Sequence, residues 1–289
     1  MLRKLLQLKD YLFSEDWSLM FKAVNDKNFE YIEQPDNVAR ADPFIVEYAN
    51  KIFIFFEEFL PGPGRLGYIK AGELDIKSKR IINSKVILKE NYHLSYPFVF
   101  RYLDEWYLIP ESSQNLTIDL YKFSEFPYKL KKIKTLMEGI CAVDNTLFFK
   151  DSFAYLFTNV KNQSSFSQNL SIFYSKSFLE SKFVEHNLNP VSTNKKFSRM
   201  AGRIFYVDNN IFRFGQDCKT SYGKTLHKLC IKKLNKVNFL EEYCEEIKKP
   251  AGISFSHTYN RSENFEIIDV KKRNFSFRNI YNKAKRLLN

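Results

Sequence analysis

"ADPFIVEYANKIFIFFEE", residues 41–58, decides the fold. Between Asp42 and Glu57 nearly every residue is a strand former, and the run breaks once, at Tyr48-Ala49-Asn50, where a turn is expected. The stretch reads as a β-hairpin with carboxylates at its ends, and it recurs. Residues 97–112 read PFVFRYLDEWYLIPES, residues 145–160 read NTLFFKDSFAYLFTNV, and residues 203–218 read RIFYVDNNIFRFGQDC. Each is a short strand, a turn rich in Asn, Asp or Lys, and a second strand ending on a polar residue. A looser fifth copy is SHTYNRSENFEIIDV, residues 256–270. The starts at 43, 97, 145 and 203 are 54, 48 and 58 residues apart, and the polar strand ends Glu57, Glu111, Asn159, Asp217 and Asp269 keep the same interval.

A repeat of about 50 residues made of strands is the signature of a β-propeller, one four-stranded blade per repeat. Between the copies, RLGYIKAGELD with SKVILKE, TIDLYKFS, and LSIFYSKSF supply candidate outer strands. Five units favour a closed ring, because closure buries both faces of each blade and removes free sheet edges; a series of hairpins in a sandwich is the alternative. The expected architecture is therefore an all-β, five-bladed propeller over residues 35–270. A short lead-in covers 1–34, and a basic tail, for which a helix is one option, covers 271–289.

Composition agrees. Aromatic residues make up 17% of the 289, with 29 Phe and 17 Tyr against 9 Gly and 9 Pro, which suits pleated, half-buried strands. No apolar run approaches the ~20 residues of a membrane-spanning helix, and "MLRKLLQLKDYLF" makes a poor signal peptide. The four cysteines are scattered without a CxxC pair, as in a reduced, cytoplasmic protein. Net charge is +12, and seven basic residues without an acid lie between Lys271 and Arg286, interleaved with Phe275, Phe277, Ile280 and Tyr281. That mixture suits an anionic membrane surface, so a peripheral location on the inner face is one expectation and a solvated tail the other. No nucleic-acid-binding signature occurs. No metal motif (HxH, HExxH or DxD) and no cofactor motif is present, so no metal and no cofactor are expected.

In a propeller the ends of the innermost strands converge at the mouth of the central channel. The repeats place Asp42, Tyr96, Asp144 and Gly202 just before the first strand, and Glu57, Glu111 and Asp217 at the end of the next. Both sets are expected at one opening. Glycosidic chemistry commonly uses two carboxyl groups across the anomeric carbon. Glu111 is the expected acid, since Ile109-Pro110 should restrict its solvation and raise its pKa, and Asp144 is the further catalytic candidate, expected to position substrate or to tune its neighbours. Arg203, Gln216, Asp217 and Tyr222 suit an anionic substrate, because guanidinium pairs bidentately with phosphate or carboxylate. His93 and His257 precede the strands of blades two and five and are candidate substrate contacts, as are Glu57 and Tyr96.

"ADPFIVE", "HLSYPFVF", "EWYLIPES", "LSIFYS", "NPV", "QDC..SYG" and "HTYN" resemble the propeller domain at the front of the plant glucosamine inositolphosphorylceramide transferases, from about residue 38 to 270. Similar domains occur in bacterial surface-polysaccharide proteins, some joined to sugar formyltransferases. More distantly, the blade-one aspartate is similar to that of the furanosidase-type glycoside hydrolases, which implies a base or nucleophile role for Asp42. Where the family usually reads Arg-Pro-Ala-Gly-Arg, this chain has Arg199-Met200-Ala201-Gly202-Arg203, which keeps both arginines and relaxes the backbone. In the plant enzymes transfer is attributed to a separate carboxy-terminal domain. The resemblance therefore implies either a propeller that is itself a glycosyltransferase of capsule or lipopolysaccharide assembly, or a sugar-binding module for a partner transferase. A furanosidase-like glycoside hydrolase is the other enzymatic expectation. The implied substrate is a sugar nucleotide or a lipid-linked glycan.

Overall fold

The computed structural model describes residues 13–61, 64–160 and 169–275. In chain order, β1 (Phe13–Ala23) and β2 (Glu30–Tyr31) precede the first full blade, β3 (Ala39–Tyr48), β4 (Lys51–Phe59), β5 (Tyr68–Asp75) and β6 (Arg80–Leu88). Blade two is β7 (Ser95–Tyr102), β8 (Glu105–Glu111), β9 (Thr117–Glu125) and β10 (Lys129–Glu138). Blade three is β11 (Ala142–Lys150), β12 (Phe153–Val160), β13 (Leu170–Ser175) and β14 (Val184–Glu185). Blade four holds β15 (Arg199–Met200), β16 (Phe205–Val207), β17 (Asn210–Gln216), β18 (Leu226–Leu234) and β19 (Phe239–Glu246). The last two strands are β20 (Tyr259–Arg261) and β21 (Phe265–Phe275).

These strands make five antiparallel sheets, the five blades of a propeller. Among the described residues the only helical turn is the 3-10 turn Ser113–Asn115. The fifth blade joins the chain ends: its order is β2-β1-β21-β20, with β1 and β21 paired from Phe13↔Phe275 to Ala23↔Phe265. Residues 13–31 of the expected lead-in thus form the outer half of blade five, and the expected tail begins inside β21. The rest of the tail, with the helix and membrane expectations placed on it, lies outside the described residues. Fastening first and last strands in one sheet leaves no open edge between blades five and one.

The blades pack face to face through apolar side chains. Phe44, Phe55 and Phe98, nearly inaccessible, meet between blades one and two, with Phe44 edge-on to Phe98 at 5.8 Å. Burying one such side chain is worth about 1.5–3 kcal/mol. Further apolar clusters join blade three to four around Tyr155 and Phe157, four to five around Phe214 and Tyr259, and five to one around Leu19, Ile45 and Phe56.

Two backbone features repeat. The inner hairpins of blades one to four turn on Ala49-Asn50, Leu103-Asp104, Asp151-Ser152 and Asp208-Asn209, each pair with both φ between 47° and 63°. That is the two-residue hairpin geometry whose twist matches the strands. Second, the inner strand pairing slips at one place in three blades, between Ala41 and Phe44, Ser95 and Phe98, and Val143 and Thr146. Asp42, Tyr96 and Asp144 sit in these bulges with φ of 51°, 44° and 56°. A bulge re-aims a side chain, and here it turns three residues toward the axis. In blade four Arg199 pairs with Gln216 and Met200 with Gly215, and the interruption then runs to Phe205. Met200 therefore occupies the place of Asp42, Tyr96 and Asp144, and Gly202, expected there, lies in the longer interruption.

Candidate functional site

Side chains on the second inner strand of a blade tie it to the next blade at three junctions. Asp269 Oδ2 accepts the amide of Asp42 at 3.1 Å, Glu111 Oε2 that of Asp144 at 3.1 Å, and Asn159 Oδ1 that of Met200 at 3.1 Å. Buried amides need a partner, and these contacts supply one at three blade junctions. At the junction of blades one and two the pattern breaks: the Tyr96 amide goes to Asp42 Oδ2 at 3.2 Å, and Glu57 is left out.

The ring ends enclose a cavity of about 870 Å³. Of the sequence-predicted residues, Asp42, Glu57, His93, Glu111, Asp144, Tyr222 and His257 line it. Four do not. Tyr96 is wholly buried, its hydroxyl 2.8 Å from Thr146 Oγ1 and accepting the Gly202 amide at 2.8 Å, which makes it an internal cross-tie. Gln216 is also wholly buried, and its amide donates to the Met200 carbonyl at 2.7 Å. Asp217 lies one residue past the true strand end: the register aligns Gln216, not Asp217, with Glu57 and Glu111. A one-residue slip reverses the facing of a strand, and Asp217 instead accepts the Lys219 amide at 2.8 Å. Arg203 packs over the rings of Phe44 and Phe98 at 5.5 and 5.8 Å, and burial lowers its pKa to about 10.

Of Arg199 and Arg203, it is Arg199 that lines the cavity. Its Nε lies 2.5 Å from Asp144 Oδ2, and its plane sits 4.8 Å from the Tyr222 ring. Arg199 pairs with Gln216 as Ala41 pairs with Glu57, and that register places Arg199, not Arg203, at the cavity. Among the other lining residues that the sequence pattern does not single out are exposed Arg65, over the Phe59 ring at 4.4 Å, and Trp17 from β1. Trp17 stacks on His257 with centroids 4.1 Å apart, so the strand that closes the ring also builds the cavity wall.

The carboxyls do not titrate alike. Burial, opposed by His257 and reinforced by Asp269 and Asp144, pushes Asp42 up to about 6. Burial and the neighbouring Asp144 push Glu111 up to about 8, against the pull of Arg199. Burial together with Asp42 and Glu111 holds Glu57 well above the usual carboxylate range. His257 loses stability as a cation through burial, but Asp269 and Asp42 outweigh that and raise its pKa. Asp42, His257 and Asp269 bring ligand-type atoms within 4.8 Å of one another. Those atoms are engaged among themselves and by Thr258, whose Oγ1 donates to Asp42 Oδ1 at 2.7 Å and whose amide donates to Asp269 Oδ1 at 2.9 Å. The trio reads as a hydrogen-bonded unit fixing Asp42. With Asp42 at about 6 and Glu111 at about 8, the cavity pairs a carboxyl mostly ionised at neutral pH with one that mostly keeps its proton, the division of labour that acid–base chemistry requires.

Fold and cavity together define a five-bladed propeller with a carboxyl-lined site at the end of its axis. The chain belongs to the family of the N-terminal domain of glucosamine inositolphosphorylceramide transferase 1, whose model matches residues 16–275. Glucosamine inositolphosphorylceramide transferase 1 of Oryza sativa subsp. japonica is 32% identical over 211 residues, covering 71% of this chain and 27% of the rice protein. That of Arabidopsis thaliana is 30% identical over 252 residues, covering 86% of this chain and 32% of the plant protein. The chain thus spans about a third or less of these relatives. Among solved structures, a family 117 glycoside hydrolase of Zobellia galactanivorans superposes with a TM-score of 0.57 at 13% identity, covering 93% of this chain and 92% of that one. A Bombyx mori family 32 β-fructofuranosidase gives 0.58 at 10% identity, covering 74% and 53%. These likenesses show the fold.

Proposed function

We propose that this protein is a glycosyl-transferring enzyme whose chemistry takes place in the axial cavity. The observation that carries the reading is the pairing, in one cavity, of a carboxyl pushed to about 6 (Asp42) with one pushed to about 8 (Glu111) and a third, Glu57, held well above the usual carboxylate range. Asp42 serves as base or nucleophile at the anomeric centre, and a neutral carboxyl supplies the proton to the departing oxygen. Asp144, locked by Arg199, holds substrate hydroxyls. Exposed Arg65 at the rim suits the phosphate of a sugar nucleotide or lipid-linked glycan. The name of the plant relatives supports transfer. Surface-glycan assembly, such as capsule or lipopolysaccharide synthesis, at the cytoplasmic face of a membrane is the setting we propose, supported by the basic residues between Lys271 and Arg286.

Hydrolysis is the second reading, because the same acid–base pair of carboxyls would serve water as the acceptor in place of a sugar hydroxyl. The test is incubation of purified protein with a panel of nucleotide sugars and aryl glycosides, with Asp42→Asn beside the wild type. Turnover lost in Asp42→Asn supports the enzyme reading, and the class of donor consumed separates transfer from hydrolysis. Saturable sugar binding without turnover would instead make the domain a sugar-binding module for a partner transferase.

A further inference from the structure

We infer that Glu57, held by His93, is the residue that delivers the proton in this cavity, and that Glu111 is chiefly a blade-to-blade tie. The inference deepens the proposed function by assigning one of its roles, and it rests on that reading.

The geometry separates the two glutamates. Both oxygens of Glu111 are occupied: Oε2 accepts the Asp144 amide at 3.1 Å, and Oε1 accepts the Ser113 hydroxyl at 3.1 Å. Glu57 stands at the equivalent strand end but has no tie to make, because Asp42 has taken the Tyr96 amide. It is 95% buried, its Oε1 is inaccessible and has no hydrogen-bond partner, and the side chain borders the cavity. A buried polar atom without a partner calls for an explanation. His93 Nε2 lies 3.3 Å from that oxygen, near enough to pair but out of hydrogen-bond alignment. Such contacts often tighten only when substrate is bound.

The tautomer of His93 is fixed. The Gly67 amide donates to His93 Nδ1 at 2.9 Å, so a neutral ring carries its hydrogen on Nε2 and presents it to Glu57 Oε1. Burial and the Arg65 charge hold the His93 pKa down and keep the ring neutral. When that contact tightens around substrate and Oε1 accepts, the acid proton belongs on Oε2. A Cβ on Gly67 would lie 2.3 Å from Glu57 Oε1 and 2.9 Å from His93 Cε1, so the bare backbone there is what lets the two side chains approach. The charged and titratable groups acting on Glu57 are Asp42, Glu111 and Asp269, which disfavour its ionisation, and Arg65, which favours it.

In the step, the glycosidic C–O bond breaks with its electron pair going to the departing oxygen, and the Glu57 Oε2 proton passes to that oxygen. The resulting carboxylate is met by the His93 Nε2–H. Asp42 takes the proton of the incoming hydroxyl as its oxygen bonds the anomeric carbon in place of the departing one, so bonds and protons balance over the cycle once Asp42 and Glu57 re-equilibrate with water. His93 is a positioning residue.

The experiment uses aryl glycosides that the wild-type chain turns over, in pairs with a poor (phenyl) and a good (2,4-dinitrophenyl) leaving group. Glu57→Gln should lower turnover of the phenyl glycoside by about 10²-fold or more and that of the dinitrophenyl glycoside by less than about 10-fold. It should also abolish the basic limb of the pH–rate profile. His93→Asn should move that limb to higher pH, since it removes a donor to the ionised form. Glu111→Gln should leave the limb in place. Independently, carbon-13 NMR of glutamate-labelled wild-type protein should find the Glu57 carboxyl neutral at pH 7. Equal losses on both glycosides, a limb that survives Glu57→Gln but not Glu111→Gln, or a Glu57 carboxylate at pH 7 would each overturn the assignment. No turnover of any glycoside by the wild type, with Glu57 neutral, would refute the glycosidic reading and the delivery role with it, while leaving the neutral carboxyl established.

Discussion

Asn159 and Glu57 occupy the same position in consecutive odd-numbered blades, and their substitutions should behave oppositely. Asn159 is wholly buried; its Oδ1 accepts the Met200 amide at 3.1 Å, and its Nδ2 donates to the Asn169 and Ser198 carbonyls at 2.9 and 3.3 Å. Asn159→Ala removes all three contacts. Leaving a buried amide without a partner costs about 1–3 kcal/mol, and the two carbonyls, each with a second lone pair, add less. The expected loss is therefore about 2–4 kcal/mol, a large share of the ~5–15 kcal/mol typical of a folded domain. Glu57→Gln removes no tie, because the amide it would have served already bonds Asp42, so its cost should stay under about 1 kcal/mol. Urea unfolding at pH 7, followed by circular dichroism, reads both from midpoint and slope. Equal costs, or an Asn159→Ala loss under about 1 kcal/mol, would refute the view that strand-end side chains clip the blades together and that Glu57 is released from the task.

Four further outcomes are expected. Folded Glu111 and Asp42, at about 8 and about 6, bind more protons than in the unfolded chain, so stability should fall as pH rises from about 4 to 8, by at most about 1.4 kcal/mol per pH unit per group. The raised pKa of His257 acts in the same direction; Glu111→Gln should flatten the decline, and stability rising over that interval in urea titrations would contradict it. Tyr96→Phe strips the partner from the Gly202 amide and should cost about 1–3 kcal/mol by urea unfolding without altering ligand affinity measured by calorimetry. Glu241→Ala leaves the fully buried guanidinium of Arg213 without its bidentate partner, at 2.5 and 2.6 Å, and should destabilise by about 3–5 kcal/mol in the same assay. Deleting residues 276–289, which spares β21, should weaken sedimentation with anionic vesicles, and unchanged binding would dismiss the membrane-surface proposal.

What the sequence determined by itself was the ring. A hairpin pattern recurring at 43, 97, 145, 203 and 256 requires a sheet per repeat, and repeats that cannot bury their faces alone must stack on one another. The same beat located Asp42, Glu57, Glu111 and Asp144, because residues at equal places in equal blades meet at the axis. What only the tertiary structure decided was anything that depends on one residue of register or on distant partners. Gln216 rather than Asp217 ends its strand, and Arg199 rather than Arg203 reaches the cavity, because blade four carries a longer interruption that no count along the chain reveals. The lead-in proved to be half a blade because β1 pairs with a strand some 250 residues away, and that pairing carries Trp17 to the cavity. The diversion of one amide to Asp42, which leaves Glu57 buried without a tie, is likewise a fact of packing between blades. Local sequence sets how often a strand occurs and which way its side chains alternate, whereas the neighbour that satisfies each buried group is chosen only when the ring closes.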